Sequence, residues 1–261
     1  MQTYKLQGAH LTGTGSVAAL ERRLCDHYGL RHALCVSSAT TGLLGLALAL
    51  ELHEFDFVTT PYTYGASLAS WLLLRNRPIF ADIDPRTLGL DPKSIRHRIT
   101  PRTRAILAVD IFGIPSDTLA LRKLADKYGI WYIADAAQSF GAKRDNLPAS
   151  ALADALVVSF TTGKPLCVGE GGAVLTNRSD IYEKLIWWTQ HPRRQRRDLG
   201  LTLDNEFALN GRIHPWAASE AGRLFDSALN RIAAHQKACF EIICALNESG
   251  MTEPIHFNLG L

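Results

Sequence analysis

The 261-residue sequence has no CxxC pair, no zinc-ligand spacing and no apolar run approaching the ~18 residues of a membrane span. Its five cysteines (Cys25, Cys35, Cys167, Cys239, Cys244) are odd in number. That argues against a closed disulfide framework and fits a reducing cytoplasm. Cys25, Cys35, Cys239 and Cys244 fall among apolar neighbours, where a free thiol behaves as a small hydrophobe. Charge of one sign is also missing: 28 Lys+Arg against 25 Asp+Glu leave a formal net charge of +3, too mild to argue for nucleic acid. The opening, Met1-Gln2-Thr3-Tyr4-Lys5, has no signal-peptide apolar core. What these absences leave is a cytoplasmic globular protein with no metal site, no membrane segment and no nucleic-acid partner. In such a chain the sequons at Asn177 and Asn247 are read as chance. The one basic cluster, Arg193-Arg194-Gln195-Arg196-Arg197, reads as a solvated loop, with an anion site as its alternative.

What the sequence does contain is an alternation of apolar β-rich runs with helical patterns. Strands are predicted over residues 33–36, 57–60, 79–81, 105–109, 131–134, 155–159 and 173–175. Helices are predicted over 40–52, 64–75 and 116–128, the last with Ser116 or Asp117 as N-cap, and Asp91-Pro92 opens another. The strands are apolar throughout and separated by helices. That pattern predicts an α/β fold, a mostly parallel sheet covered on both faces. From Pro215 a helical stretch runs to about Leu246, with Ala217, Ala221, Leu224, Ala228 and Ile232 near helical spacing. Residues 251–261 carry no clear element.

Ligands of doubly wound sheets sit beyond the carboxyl ends of the strands, so the residues that follow each strand are the candidates. Ser37-Ser38-Ala39-Thr40 opens the first predicted helix of the sheet. Asp135-Ala136-Ala137-Gln138 follows the 131–134 strand. Phe160-Thr161-Thr162-Gly163-Lys164 and Gly169-Glu170-Gly171-Gly172 follow the 155–159 strand. An acid, a lysine and a hydroxyl-rich helix start therefore share one edge. Together they suit pyridoxal 5′-phosphate (PLP): the phosphate wants amide N–H groups, hydroxyls and a helix N-terminus. An acid at Asp135 would keep the pyridine nitrogen protonated. Lys164 would supply the amine for a Schiff base and then move protons. Each residue also has an ordinary alternative: Asp135 as a turn residue, Lys164 as a surface lysine, Ser37-Ser38 as a plain helix cap.

At these residues the chain resembles the DegT/StrS family of PLP-dependent sugar aminotransferases, over roughly residues 15–246. Val36-Ser37-Ser38-Ala39-Thr40 is similar to the family's phosphate turn V-S-S-G-T, with Ala39 where glycine is usual. Thr60-Pro61-Tyr62-Thr63-Tyr64 is similar to T-P-[FY]-T-[FYW], whose last aromatic stacks on the cofactor; plain core packing is the other reading of Tyr64. Asp135-Ala136-Ala137-Gln138 resembles D-A-A-[QH], in which Asp holds the pyridine nitrogen and Gln approaches the phenolic oxygen. Ser159-Phe160, Lys164 and Gly169-Glu170-Gly171-Gly172 match S-F-x-x-x-K and G-[ED]-G-G, where Ser touches phosphate and Lys carries the cofactor. Asn210-Gly211-Arg212 looks like N-x-R, whose Asn serves the neighbouring subunit's phosphate.

The resemblance implies a fold-type I large domain over 1–214, then over 215–261 a long helix and the truncated start of a small domain. The family's opening helix is mostly missing upstream of Gly15, and most of the small domain is missing at the other end. The implied function is transfer of an amino group from a donor such as glutamate to a keto-sugar nucleotide or similar small ketone, in a homodimer with shared sites. Lys164 separates the chain from the family's dehydratase branch, which has histidine there. The alternative is a PLP-binding subunit or scaffold, inactive until a partner chain supplies the missing small domain.

Overall fold

The computed structural model describes residues 9–250; the expectations for the first five residues and for 251–261 lie outside that range. The order begins α1 (Ala9–Thr12), α2 (Ser16–Tyr28), β1 (His32–Val36), α3 (Ala39–Ala49), β2 (Asp56–Thr59), α4 (Ala66–Leu73) and β3 (Arg77–Phe80). It continues with α5 (Pro92–Arg96), β4 (Thr103–Val109), α6 (Thr118–Tyr128), β5 (Trp131–Asp135), β6 (Lys143–Arg144), β7 (Leu147–Pro148), β8 (Ala155–Ser159) and β9 (Gly172–Thr176). Helices α7 (Ser179–Thr189), α8 (Pro192–Leu199) and α9 (Pro215–Ser249) complete it.

Seven strands form one sheet in the order β1-β9-β8-β5-β4-β2-β3. β2, β3, β4, β5 and β8 pair in parallel, and β9 runs antiparallel between β1 and β8. The expectation of an α/β fold with a mostly parallel sheet is met. Alternation along the strands divides the core in two. In β4, Ile106 and Ala108 join the cluster under α2, α6 and α9, while Ala105 and Leu107 join the one under α3, α4 and α7. Both faces are buried, which is why each strand reads as continuously apolar. The β6–β7 hairpin, two residues per strand, is too short to leave a periodic signal in the sequence.

Helix α9 is 35 residues long, about 52 Å at the usual rise. Its first half lies in the body: Ala218, Ala221, Phe225 and Ala228 are buried in the main cluster. Arg23 of α2 donates to the Gly222 carbonyl at 2.7 Å and pairs with Asp226. Leu229 and Ile232 still pack against the main cluster, and further along the helix Phe240 and Ile242 are exposed. Cys239 is exposed, so the expectation of apolar surroundings fails there; Cys244 is half-buried.

The basic cluster is not a solvated loop. It forms α8, with Arg194 only 1% exposed. Its guanidinium donates to both Glu21 carboxylate oxygens (2.8 and 3.1 Å) and to Asp198 at 3.1 Å. Burial opposes this charge, but Glu21 and Asp198 outweigh it and raise the Arg194 pKa. Glu21 also accepts from the Cys35 amide at 2.8 Å. Gly13, at φ 65°, lies so close that a Cβ there would collide with the Arg194 guanidinium. One buried ion pair thus ties the α1–α2 turn, α2, β1 and α8 together. Removing one partner of such a pair strands a charge, so Arg194→Met should lower unfolding stability by about 3–5 kcal/mol in urea titration. The double variant Glu21→Leu/Arg194→Met should recover part of that loss. A loss in the single variant below about 1 kcal/mol would contradict the assigned role.

Candidate active site

The polypeptide leaves β1, β4, β5 and β8 at the same edge of the sheet, and this edge holds a cavity of about 270 Å³. At β1, Ser38 is the N-cap of α3, its Oγ accepting from the Thr41 amide at 3.0 Å. Ala39 is the first helical residue, so the position needs no positive φ and tolerates a side chain. The amides of the first turn, not used within the helix, face outward with the helix dipole behind them. Gly172 of β9 runs against this turn: a Cβ there would lie 2.8 Å from the Ala39 nitrogen and 2.7 Å from the Val158 carbonyl oxygen. Only glycine allows that approach, which brings the loop from β8 alongside the α3 start.

That loop carries Lys164. Phe160 N donates to the Gly171 carbonyl at 2.9 Å, Thr161 Oγ1 to the Gly169 carbonyl at 3.1 Å, and Lys164 N to the Thr161 carbonyl at 3.1 Å. Ser159, at the end of β8, accepts at Oγ from the Thr161 amide at 3.3 Å. Asp135, at the end of β5, is buried, with Oδ1 accepting from the Ala137 amide at 3.0 Å. Burial raises its pKa, and the nearby Asp110 adds to that. A hydrogen bond from Ser67, the Ala137 amide and the charge of Lys164 act in the opposite direction. Gln138 Oε1 accepts from the Phe112 amide at 3.0 Å. α4 is docked onto α3 by Ser70 Oγ to the Thr40 carbonyl (2.9 Å) and Trp71 Nε1 to the Leu43 carbonyl (3.0 Å). Tyr64, expected within a helix over 64–75, instead precedes α4. At 74% exposed it is not a core residue.

Ser38, Ala39, Thr40, Tyr64, Asp135, Gln138, Ser159 and Lys164 all line this one cavity. Asn210 does not; it is exposed. Its neighbours nevertheless run beside the phosphate turn, since Ser37 N donates to the Gly211 carbonyl at 2.8 Å and Val36 bridges Arg212. The lining also includes Ser67, Thr161 and Glu170, to which the sequence reading gives no role. Ser67 lies three residues beyond Tyr64, a spacing that could have flagged it. A wider, more open depression of about 680 Å³ lies at the opposite end of β5, lined by Arg122, Asp126, Trp131, Asp154 and Arg178. Its lining holds no lysine, and the helix start it includes, Arg178 before α7, has no side-chain cap.

The DegT/DnrJ/EryC1/StrS aminotransferase family profile matches residues 3–258. This extends the resemblance beyond the 15–246 span and covers the segment before Gly15 that the sequence reading takes as mostly missing. The chain is 33% identical over 249 residues to the UDP-2-acetamido-2-deoxy-3-oxo-D-glucuronate aminotransferase of Pseudomonas aeruginosa, covering 95% of this chain and 68% of that protein. It superposes on DesI, crystallised in the presence of its TDP-sugar product, with a TM-score of 0.74 and 31% identity, covering 87% of this chain and 56% of that one. On fold alone it also matches NtdA from Bacillus subtilis with bound cofactor PMP, at a TM-score of 0.83, 24% identity and coverage of 99% and 59%. Against these solved chains the sequence spans less than two thirds of their length. Among the described residues no helix is long and apolar enough to cross a membrane. The profile match over nearly the whole sequence, together with a fold of the same class, means that the chain belongs to the DegT/DnrJ/EryC1/StrS aminotransferase family, a family of PLP-dependent enzymes that are typically dimeric.

Proposed function

We propose that this chain binds PLP at Lys164 and transfers an amino group from an amino-acid donor, glutamate in the first instance, to a keto-sugar nucleotide. One observation carries the reading: eight residues drawn from four separate segments line a single cavity. The donor set fits the group. The first-turn amides of α3, with the hydroxyls of Ser38, Thr40 and Ser159, would hold a phosphate dianion. Asp135 would accept from the pyridine nitrogen, and a cation there would relieve the burial that raises its pKa. Gln138 would approach the phenolic oxygen, and Tyr64 would cover the ring face. Bound PLP supplies an electron sink for charge that develops at the amine-bearing carbon. Lys164 Nζ supplies the attaching amine and, when released, accepts and returns a proton beside that carbon. The sugar-nucleotide assignment rests on the relatives whose names carry nucleotide-linked sugars.

The exposed Phe240 and Ile242 on the second half of α9 favour a second reading, in which further polypeptide from a partner chain packs there to complete the site. A homodimer with shared sites belongs to the first reading. It explains why Asn210, exposed beside its own phosphate turn, lines no part of its own cavity.

Added PLP should give a violet absorbance band that glutamate bleaches, and Lys164→Ala should lack both the band and amino transfer. A borohydride-sensitive band that persists in Lys164→Ala would remove the assignment. Asp135→Asn separates function from stability. An aspartate whose folded pKa is raised binds protons more readily folded than unfolded, so its stability contribution is present at low pH and lost as pH rises through the folded value. At neutral pH the uncharged Asp135→Asn variant should therefore melt above the parent when PLP is absent. With PLP it should retain some cofactor and lose most of its transfer rate. A parental rate in Asp135→Asn would refute the role. Shared sites are tested by mixing Lys164→Ala and Asn210→Ala subunits at limiting PLP. Mixed dimers hold one site with both residues intact, so the violet band should partly return; no recovery at any ratio would exclude sharing.

A further inference from the structure

Asp110, the residue after β4, is a second buried carboxylate beside Asp135, and the cofactor set above makes no use of it. It is 1% exposed, and its hydrogen-bond partners are the side chains of Ser139 and Ser150 and both the amide and the side chain of Ser116. Oδ2 accepts from Ser139 Oγ and from Ser150 Oγ, both at 2.8 Å, and Oδ1 accepts from the Ser116 amide at 2.8 Å. Burial raises its pKa despite these donors.

Two of the three donors belong to the scaffold: Ser116 precedes α6, and Ser150 follows β7. Ser139 is different. It comes directly after Gln138, and its amide donates to the Ala136 carbonyl at 3.1 Å, closing the turn that begins at Asp135. The Asp110 amide itself donates to the Asp135 carbonyl at 3.1 Å. Two residues further on, the Phe112 amide holds Gln138 Oε1 at 3.0 Å, with Phe112 in the left-handed region at φ 55°. Gly113, at φ 79°, packs so tightly here that a Cβ would come within 3.2 Å of the Gln138 carbonyl oxygen. With Oε1 turned to the Phe112 amide, Gln138 has Nε2 as its donor for the cavity it lines.

We propose that Asp110 is a positioning residue: through Ser139, and through the backbone of 110–113, it fixes the turn that presents Asp135 as acceptor and Gln138 as donor to the cofactor. This rests on the PLP reading above. The two oxygens of Asp110 accept from Ser139, Ser150 and the Ser116 amide together, so the Ser139 contact is anchored to the segments before α6 and after β7. Asp110 is not among the residues that line the cavity; its action passes through Gln138 and Asp135.

Ser139 and Ser150 provide an internal control, because each donates to the same oxygen at the same distance and both are buried. Ser139→Ala and Ser150→Ala should lower the melting temperature of PLP-free protein by similar amounts. Their PLP dissociation constants, measured by absorbance titration well below melting, should differ. Ser139→Ala should bind about tenfold more weakly, the size typical when an orienting outer contact is lost, while Ser150→Ala stays within about twofold of the parent. Asp110→Asn, if it folds, should follow Ser139→Ala. Equal PLP affinities for the two serine variants would overturn the inference while leaving the cofactor assignment intact. A parent protein that does not bind PLP at all would overturn both.

Discussion

The strands β1, β4, β5 and β8 end at one edge because they run in the same direction, and that shared direction decides what can meet in the cavity. Parallel strands return through helices on the faces, so their carboxyl ends carry the loops and the helix starts. Ser38 and Thr40 then stand at the start of α3, Asp135 at the end of β5 and Ser159 at the end of β8. These three segments lie far apart in sequence. β9 is the exception in direction, and its reversal has a use: it returns the Lys164 loop to the α3 start, where Gly172 lets two backbones approach as closely as a side chain would forbid.

Charge is distributed unevenly about this edge. Asp110 and Asp135 are both buried, and burial raises both pKa values; at Asp110 the relief comes from hydroxyls and an amide, at Asp135 partly from Lys164. A buried acid without a close cation costs stability. Asp135 is the one that faces the cavity, where a cationic ring nitrogen would offset the cost. Elsewhere the molecule uses a buried ion pair for construction, as at Arg194 and Glu21. Buried charge therefore serves different ends: in α8 the arginine finishes a scaffold, and at β5 the acid lines a cavity.

Exposed aromatic residues lie in the segments that lead to the cavity, and Tyr64 is one of its lining residues. Tyr62, Tyr64 and Phe112 are exposed, with the Tyr62 and Phe112 rings 5.9 Å apart. Aromatic groups of this kind are enriched where a second surface packs.

The α/β class and the strand series were legible in the sequence because each depends on local or periodic features; of the cavity residues, Ser38, Thr40, Asp135 and Lys164 stood out by their place after strands, whereas Tyr64, Gln138 and Ser159 were singled out only by the family resemblance. Buried parallel strands are continuously apolar, a helix start is marked by Ser38, and Asp135 and Lys164 follow strands at fixed short distances. The length of α9 was legible for the same reason, down to its proline start. What the sequence could not decide is which distant segments share an environment. Arg194 in a run of arginines looks solvated; only the packing of α8 on α2 reveals Glu21, 173 residues away, as its partner. Asp110 follows its strand just as Asp135 does, yet its three donors come from separate loops and carry no spacing signal. Asn210 likewise could be placed by resemblance but not assigned to a cavity. Periodicity reports which face of an element is buried, whereas a hydrogen bond between remote side chains exists only once the chain has closed around it.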